Sequence, residues 1–508
     1  MTVGDALKVL GLKVALPPEW RNREVAGIVH DSRKVVPGAL FVAVRGYHSD
    51  GHQFISQALQ QGAAAVVAEE LPVAADVAEA PVFSVPDSRA ALALLSAAFY
   101  GHPSQRLALV GITGTNGKTT TSYLVKAIIE ASGGMSGLIG TIDYRIGSRV
   151  YPAPNTTPES VDLQRLLAEM ADQGAGHCVM EVSSHALAMK RTLGCRFVSA
   201  AFTNLTQDHL DFHGDMDSYF RAKLQLFTGL APNATAVVNS DDARADEIIA
   251  ATKARMITFG LSDRAEIRPL GPITHGIDGL AFSARTPAGT VVVGSPLVGR
   301  HNVYNILTAL GVGVSLGFGP GVIARGIADM RAIPGRMEKV EAGQSFSVFV
   351  DYAHTEDALA RLLEAVREVA PRRIITLFGC GGDRDRAKRP RMGAAAIEGS
   401  DAVIITSDNP RSEDPLAIIR EIEEGLRGLA KRVENADALV TNLPRAKHYC
   451  VIPDRRQAIA AAMATAEAGD VVVLAGKGHE DYQIIGASKI HFDDREEARK
   501  AIEALRGR

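Results

Sequence analysis

One stretch of the chain joins residue type and spacing in a way that specifies chemistry. It is GITGTNGKTT, Gly111 to Thr120. The apolar run RLALV (Arg106 to Val110) precedes it and the amphipathic run TSYLVKAIIEASG follows. That order reads as strand, glycine-rich turn and helix. Glycines let backbone N–H groups close around phosphate oxygens, and a helix N-terminus adds partial positive charge. In such a loop (Gly114, Thr115, Asn116, Gly117, Lys118, Thr119, Thr120) the lysine reaches the β- and γ-phosphates and the Thr119 hydroxyl can ligate Mg²⁺. A nucleoside triphosphate is the expected ligand. The strict pattern G-x-x-x-x-G-K-[ST] would need a glycine where Ile112 stands; the further glycines are Gly111 and Gly114.

Other residues add to this site or define a second one. Glu181 lies near the end of an apolar strand, HCVMEVSSH. A carboxylate there is costly without a partner, and beside a phosphate loop Mg²⁺ is a natural one; the plainer alternative is a solvent-facing strand-end acid. TNLTQDHLDFHG places Asp208 and His209 just past another strand, a weak signal by itself. Lys223, in SYFRAKLQLF, reads from sequence alone as a solvated lysine on an amphipathic helix. Toward the C-terminus four polar loops each follow an expected strand: DYAHTED, GCGGDRDRAKRP, SDNPRSEDP and GKGHEDY. Ligands of open α/β sheets bind outside the carboxyl ends of the strands, so the four describe one site. Arg384 and Arg411 could each grip a carboxylate bidentately.

The elements needed to hold these residues are α/β. The first hundred or so residues contain short apolar runs such as GALFVAV and AAAVVAEE, expected to form a small α/β domain. From the phosphate loop onward, strands GLIGTIDY, HCVMEVSSH, FVSAAFTNL and TAVVNSDD alternate with helical stretches, which predicts a largely parallel, doubly wound sheet. The last third repeats strand, loop and helix (SVFVDYAH, RRIITLFG, DAVIITSD, HYCVIPD, DVVVLAG), a Rossmann-like sheet with no GxGxxG fingerprint. Breaks at GHPSQR and AIPGR suggest three domains, residues 1–104, 105–336 and 337–508. A length of 508 residues fits more than one core.

The 46% hydrophobic and 22% charged fractions are those of an ordinary globular protein. A net charge of −3 gives no hint of nucleic-acid binding. No apolar run reaches the ~18–20 residues of a membrane span, and MTVGDALKVLGLKV does not read as a signal peptide. Four scattered cysteines, without a C-x-x-C pair, fit buried thiols in a reducing cytoplasm.

With these motifs in place, the sequence resembles the Mur ligases, ATP-dependent amide-bond formers of peptidoglycan precursor synthesis, over nearly its whole length. TGTNGKTT matches the family's phosphate loop, and GRHNVYN (Gly299 to Asn305) and PGRME (Pro334 to Glu338) resemble its adenine- and ribose-side motifs. NTTP (Asn155 to Pro158), EVSSHAL and DNPR (Asp408 to Arg411) resemble the branch that adds meso-diaminopimelate to UDP-N-acetylmuramoyl-L-alanyl-D-glutamate.

The resemblance implies that Lys118, Thr119 and Thr120 hold phosphates. It implies Mg²⁺, in two ions, at Thr119, Glu181, His209 and Lys223, the last as a carbamate able to hold the metal. Asn302, Arg336 and Asp351 would contact the nucleotide. Ser32, His48, Asn155, Thr156, Thr157, Ser184 and Arg191 would contact the UDP-muramoyl dipeptide. Arg384, Asp408, Asn409, Arg411, Gly476 and Glu480 would contact the incoming amino acid. Met189 stands where the family commonly has Gln. The implied reaction runs through an acyl phosphate, and domain closure would keep water from it. A cytoplasmic monomer with no membrane insertion and no nucleic-acid partner is expected. The alternatives are a lysine-adding, dipeptide-adding or folylpolyglutamate-type ligase or, from another class, an ATP-driven switch.

Overall fold

In the computed structural model, which describes residues 1–46, 49–71, 80–330, 332–369, 371–441 and 447–506, the apolar runs become strands of parallel sheets. The first sheet holds β1 (Gly27–Val29), β2 (Ala39–Val42), β3 (Ala65–Ala68) and β4 (Val82–Ser84), parallel and in chain order. Every residue of β2 and β3 is buried. Such all-apolar strands need cover on both faces. Leu40, Val42 and Val67 pack into one cluster, and Phe41 and Val66 into another.

The second sheet carries the phosphate loop. Its strands are β5 (Ala108–Thr113), β6 (Ser136–Ile139), β7 (Asp143–Ile146), β8 (Arg149–Pro152), β9 (His177–Glu181), β10 (Phe197–Phe202), β11 (Thr235–Asn239) and β12 (Arg255–Phe259). Their spatial order is β12-β11-β10-β5-β9-β6-β7-β8. All neighbours pair in parallel except β6 with β7 and β7 with β8. After β5 the chain crosses to β6 on one side, and it returns later to β10 on the other, so the end of β5 is a switch point where a ligand crevice opens. Leu109, Cys178, Met180, Ala200 and Phe202 are buried together in its core. Of these the large ones, Leu109, Met180 and Phe202, contribute roughly 1.5–3 kcal/mol each when fully buried.

A three-stranded antiparallel meander, β13 (Arg268–Gly276), β14 (Gly279–Thr286) and β15 (Gly289–Ser295), was not expected from the sequence. Alternate residues of β14 are buried, the period-two signature of a half-covered strand.

The last large sheet contains β16 (Glu338–Lys339), β17 (Ser347–Asp351), β18 (Ile374–Phe378), β19 (Ala402–Ile405), β20 (Lys431–Arg432), β21 (His448–Val451) and β22 (Val471–Ala475), in the order β16-β17-β22-β18-β19-β21-β20. Only β16 is antiparallel to its neighbour. A hairpin, β23 (Tyr482–Ile485) and β24 (Ser488–His491), follows β22.

The chain divides into two compact units. One is Met1–Pro269, Ala284–Val291 and Tyr304–Asp329; the other is Leu270–Ser283, Val292–Val303 and Met330–Arg508. No helix among the described residues is long and apolar enough to cross a membrane.

Candidate active site

Two glycines shape the phosphate loop. Gly114 and Gly117 have φ of 145° and 85°. A Cβ at Gly114 would collide with Thr203 Oγ1, and one at Gly117 with Asn305 Oδ1. Only glycine combines that backbone conformation with so close an approach. The segment after β10 grips the loop from outside. Thr115 N donates to Asn204 O (2.8 Å), Asn116 N to Asn204 Oδ1 (3.0 Å) and Thr203 Oγ1 to Asn116 O (2.6 Å). Gly117 starts the helix Lys118–Ala131 without a side-chain cap. Lys118 curls back, its Nζ donating to Gly114 O (3.0 Å) and Thr115 O (2.8 Å). Thr120 is half-buried in the first turn.

Glu181 ends β9 with no exposed surface. Its Oε2 accepts the hydroxyls of Thr119 (3.0 Å) and Thr141 (3.1 Å), and its Oε1 accepts Thr141 N (3.0 Å). A Cβ at Gly140 would lie 2.5 Å from Oε1. The solvent-facing alternative for Glu181 is thereby excluded. Thr141 was missed by sequence reasoning, although it follows a strand, in GTIDY. It also bonds Thr156 Oγ1 (3.0 Å), so the NTTP segment joins the same network. Thr157 Oγ1 donates to Glu181 O (2.8 Å) and its carbonyl accepts Arg191 Nη1 (3.0 Å). Asn155 O accepts the Tyr144 hydroxyl. Ser184 is buried, with His213 Nε2 3.0 Å from its Oγ. Met189 caps the helix Ser184–Ala188 through backbone bonds only.

The solvated reading of Lys223 is corrected by the structure: the residue is 1% exposed. Its Nζ donates to Gly114 O (2.8 Å) and lies 4.4 Å from the centre of the Tyr219 ring. Burial first, and the neighbouring Lys118 charge second, push its amine well below the usual lysine range.

His209 has φ 53°, and its ring meets His185 edge-on at 4.7 Å. Burial lowers its pKa, against the opposing pull of Asp208. Among the described residues no three His, Cys, Asp or Glu side chains form a ready-made metal cage. The Thr119–Glu181 oxygen pair nevertheless suits Mg²⁺, which takes one or two protein oxygens and completes its shell with water and phosphate. Ser32, in the N-terminal sheet region, donates its hydroxyl to Gln57 Oε1 (3.1 Å). His48 lies outside the described residues.

In the second compact unit, the four polar loops do leave the carboxyl ends of β17, β18, β19 and β22. Asp351, at the end of β17, accepts Met337 N and Ala353 N, both at 2.8 Å, and so fixes the PGRM turn. Burial raises its carboxyl pKa, opposed first by the Arg336 charge. The Arg336 guanidinium lies 5.4 Å from the centre of the Tyr352 ring, and Asn302 Nδ2 donates to Val298 O (2.7 Å).

Arg411, at φ 51°, donates through Nη1 to Gly382 O (2.7 Å). A Cβ at Gly381 would come within 3.0 Å of Arg411 Nη1 and 3.8 Å of Arg384 Cγ, so the missing side chain leaves room between the arginines. Arg389, wholly buried, holds Glu413 and Glu421 and ties the two arginine-bearing loops together. Asn409 Nδ2 donates to Glu480 Oε2 (2.9 Å), and Gly476 approaches Asp408. Burial and the Asp408 charge raise the Glu480 pKa. Sequence reasoning also missed Lys477, inside GKGHE, whose ammonium lies among Asp408, Asn409 and Glu480.

Three family models match the chain: "Mur ligase family, catalytic domain" at residues 24–100, "Mur ligase middle domain" at 112–313 and "Mur ligase, glutamate ligase domain" at 335–478. The chain belongs to the Mur ligase family. Its three-domain α/β architecture is that of a Mur ligase. A Solibacter usitatus protein named UDP-N-acetylmuramoyl-L-alanyl-D-glutamate–2,6-diaminopimelate ligase is 47% identical, with 99% of this chain and 98% of that one aligned. A Geobacter metallireducens protein of the same name is 49% identical, covering 95% of each. A solved structure titled as that ligase superposes on this Mur ligase with a TM-score of 0.72 at 33% identity, over the full length of both chains.

Proposed function

We propose that this Mur ligase joins meso-diaminopimelate to UDP-N-acetylmuramoyl-L-alanyl-D-glutamate at the expense of ATP. The observation that carries this reading is the C-terminal rim, where Arg411 and Arg384 flank Gly381 and a cluster of buried Asp408 and Asn409 with partly buried Glu480 supplies acceptors. An amino acid whose side chain ends in both an ammonium and a carboxylate satisfies both sets. Lysine leaves the guanidinium without its anion, which is costly for a partly buried charge. Full-length similarity to proteins named for this reaction supports the same reading.

In the reaction, the γ-carboxylate of the dipeptide's glutamate attacks the γ-phosphorus of ATP, displacing ADP and forming an acyl phosphate. The diaminopimelate amine attacks the acyl carbon; the tetrahedral intermediate collapses and expels inorganic phosphate, and the amine proton passes to solvent. Lys118 swings from the loop carbonyls to the phosphates and offsets their charge. Two Mg²⁺ ions, held by Thr119, Glu181, His209 and the Lys223 carbamate, would supply charge neutralisation.

Lys223 acts as its carbamate. A lowered pKa enlarges the neutral share of the amine, and only a neutral amine adds CO₂, losing one proton to give the anion. Asn302, Arg336 and Asp351 contact the nucleotide. Ser32, His48, Asn155, Thr156, Thr157, Ser184 and Arg191 hold the UDP-muramoyl dipeptide. The domains run 1–104, 105–336 and 337–508.

The test is phosphate release from ATP with the UDP-muramoyl dipeptide, comparing diaminopimelate with lysine. Release that is fast without any amino acid, or equal for the two amino acids, would rule the reading out.

A further inference from the structure

The Lys477 side chain has no exposed surface. Its Nζ lies 3.4 Å from Asp408 Oδ1, 3.3 Å from Asn409 Oδ1 and 3.3 Å from Glu480 Oε2. An ammonium has three N–H donors, and here there are three oxygens to receive them. Asn409 is fixed in turn, since its Oδ1 also accepts Ile484 N (3.0 Å) and its Nδ2 donates to Glu480. The hairpin strand β23 is bonded to the same loop, with Gln483 Nε2 donating to Asp408 O (2.6 Å) and Arg411 N to Ile484 O (3.1 Å). Lys477 is therefore rigidly placed at the base of the rim.

The charges around it add to a definite total. Asp408 and Glu480 bring two negative charges; Lys477, and Arg411 three residues further along the Asp408 loop, bring two positive ones, while Asp383 beside Arg411 is exposed and screened by solvent. The next buried cation, Arg455, is neutralised by its own pair with buried Asp494 (2.6 Å). Arg384 is exposed at the mouth of the rim, where solvent screens it.

We propose that Lys477 sets the amino-acid specificity of this site, because its buried ammonium cancels one of the two carboxylates and leaves a neutral pocket suited to an electroneutral ammonium–carboxylate group rather than a lone ammonium. The inference rests on reading this rim as the amino-acid site. Removing Lys477 leaves the pocket one unit negative, which favours a net cation such as the lysine side chain. Removing the Asp408 charge leaves it one unit positive, which disfavours lysine further. Specificity is a difference of affinities, so an added charge acts on the two substrates unequally. Lys477 is a positioning residue here; it acts through Asp408, Asn409 and Glu480.

The experiment measures kcat/KM for diaminopimelate and for lysine on the full chain, by phosphate release with ATP and the UDP-muramoyl dipeptide. Lys477→Met nearly preserves volume and should lower the diaminopimelate-to-lysine ratio by about tenfold or more. Lys477→Arg should keep the ratio within about threefold. Asp408→Asn should raise it, and the double variant Lys477→Met/Asp408→Asn should restore it. The KM for ATP should stay within about twofold throughout.

A structural role alone would slow both amino acids together. An unchanged ratio in folded Lys477→Met overturns the inference; if that variant does not fold, an unchanged or lowered ratio in Asp408→Asn overturns it. A wild-type protein without amino-acid-dependent phosphate release would instead sink the functional reading.

Discussion

The two compact units, the two halves of the molecule, carry candidate sites built from different materials. Around the phosphate loop the work is done by backbone and short hydroxyls: positive-φ Gly114 and Gly117, Thr115, Thr119 and Thr141. The cations there are turned inward, with both Lys118 and Lys223 donating to Gly114 O. On the C-terminal rim long charged side chains are set by other charges, Lys477 by Asp408 and Glu480, Arg389 by Glu413 and Glu421. A phosphate is the same in every nucleotide, so a fixed backbone mould suffices. An amino-acid side chain must be told from its relatives, and a count of opposed charges can do that. Changes in the first half should therefore act on catalysis as a whole, and changes in the second on selection.

The sharpest way to break this contrast is at Lys223. Lys223→Ala should lower kcat by about a thousandfold or more, since it removes an anion proposed to sit beside the transferring phosphoryl group. A short-chain carboxylate added to the assay should restore part of the rate. Near-normal turnover of the unrescued variant would remove the carbamate from the mechanism.

Glu181→Gln should come next, with a loss of roughly a hundredfold in kcat. The glutamine keeps one oxygen for the Thr119 and Thr141 hydroxyls but loses the acceptor for Thr141 N and the charge. Titrating Mg²⁺ against rate would check it: the variant should need more of the ion than the parent, and an unchanged requirement would contradict metal binding at Glu181.

These two residues also show how far the chain could be read before folding. The phosphate loop is local, ten consecutive residues, and needed no partner to be recognised. Glu181 betrayed itself as an acid at the end of an apolar strand. Lys223 was misjudged, yet a signal was present. In the helix Met216–Thr228 the buried residues include Tyr219, Phe220, Lys223, Leu226 and Phe227. Those positions recur at three and four, so Lys223 falls on the apolar stripe itself. Lys477 gave no such signal; its meaning depends on Asp408, 69 residues earlier in the chain. The meander β13–β15 had a readable alternation in GLAFSART that the α/β pattern around it overshadowed.

On the rim, Arg411→Ala should raise the KM for diaminopimelate by about ten- to a hundredfold and leave the KM for ATP within about twofold. Initial rates with each substrate varied in turn would show it. Equal increases for both would erase the division between a phosphate half and a selecting half.

The smallest effect concerns stability and pH. Burial first, and then the Asp408 charge, hold the Glu480 carboxyl above its ordinary value of 4.5, against the pull of Lys477 and the Asn409 bond. Tyr352, Tyr482 and Arg455 complete the ionisable surroundings. With the folded pKa raised, the native state binds more protons than the unfolded chain between pH 4.5 and the raised value. Stability therefore falls as pH climbs through that window, because the folded protein must ionise a carboxyl in a dry place. Glu480→Gln removes this slope while keeping an oxygen acceptor for Lys477. Relative to the parent, its Tm should rise with pH across the window, by about two degrees or less. A difference in Tm that stays flat or moves the opposite way would mean that the rim does not hold its acid by burial, and would weaken the claim that charge counting governs that half.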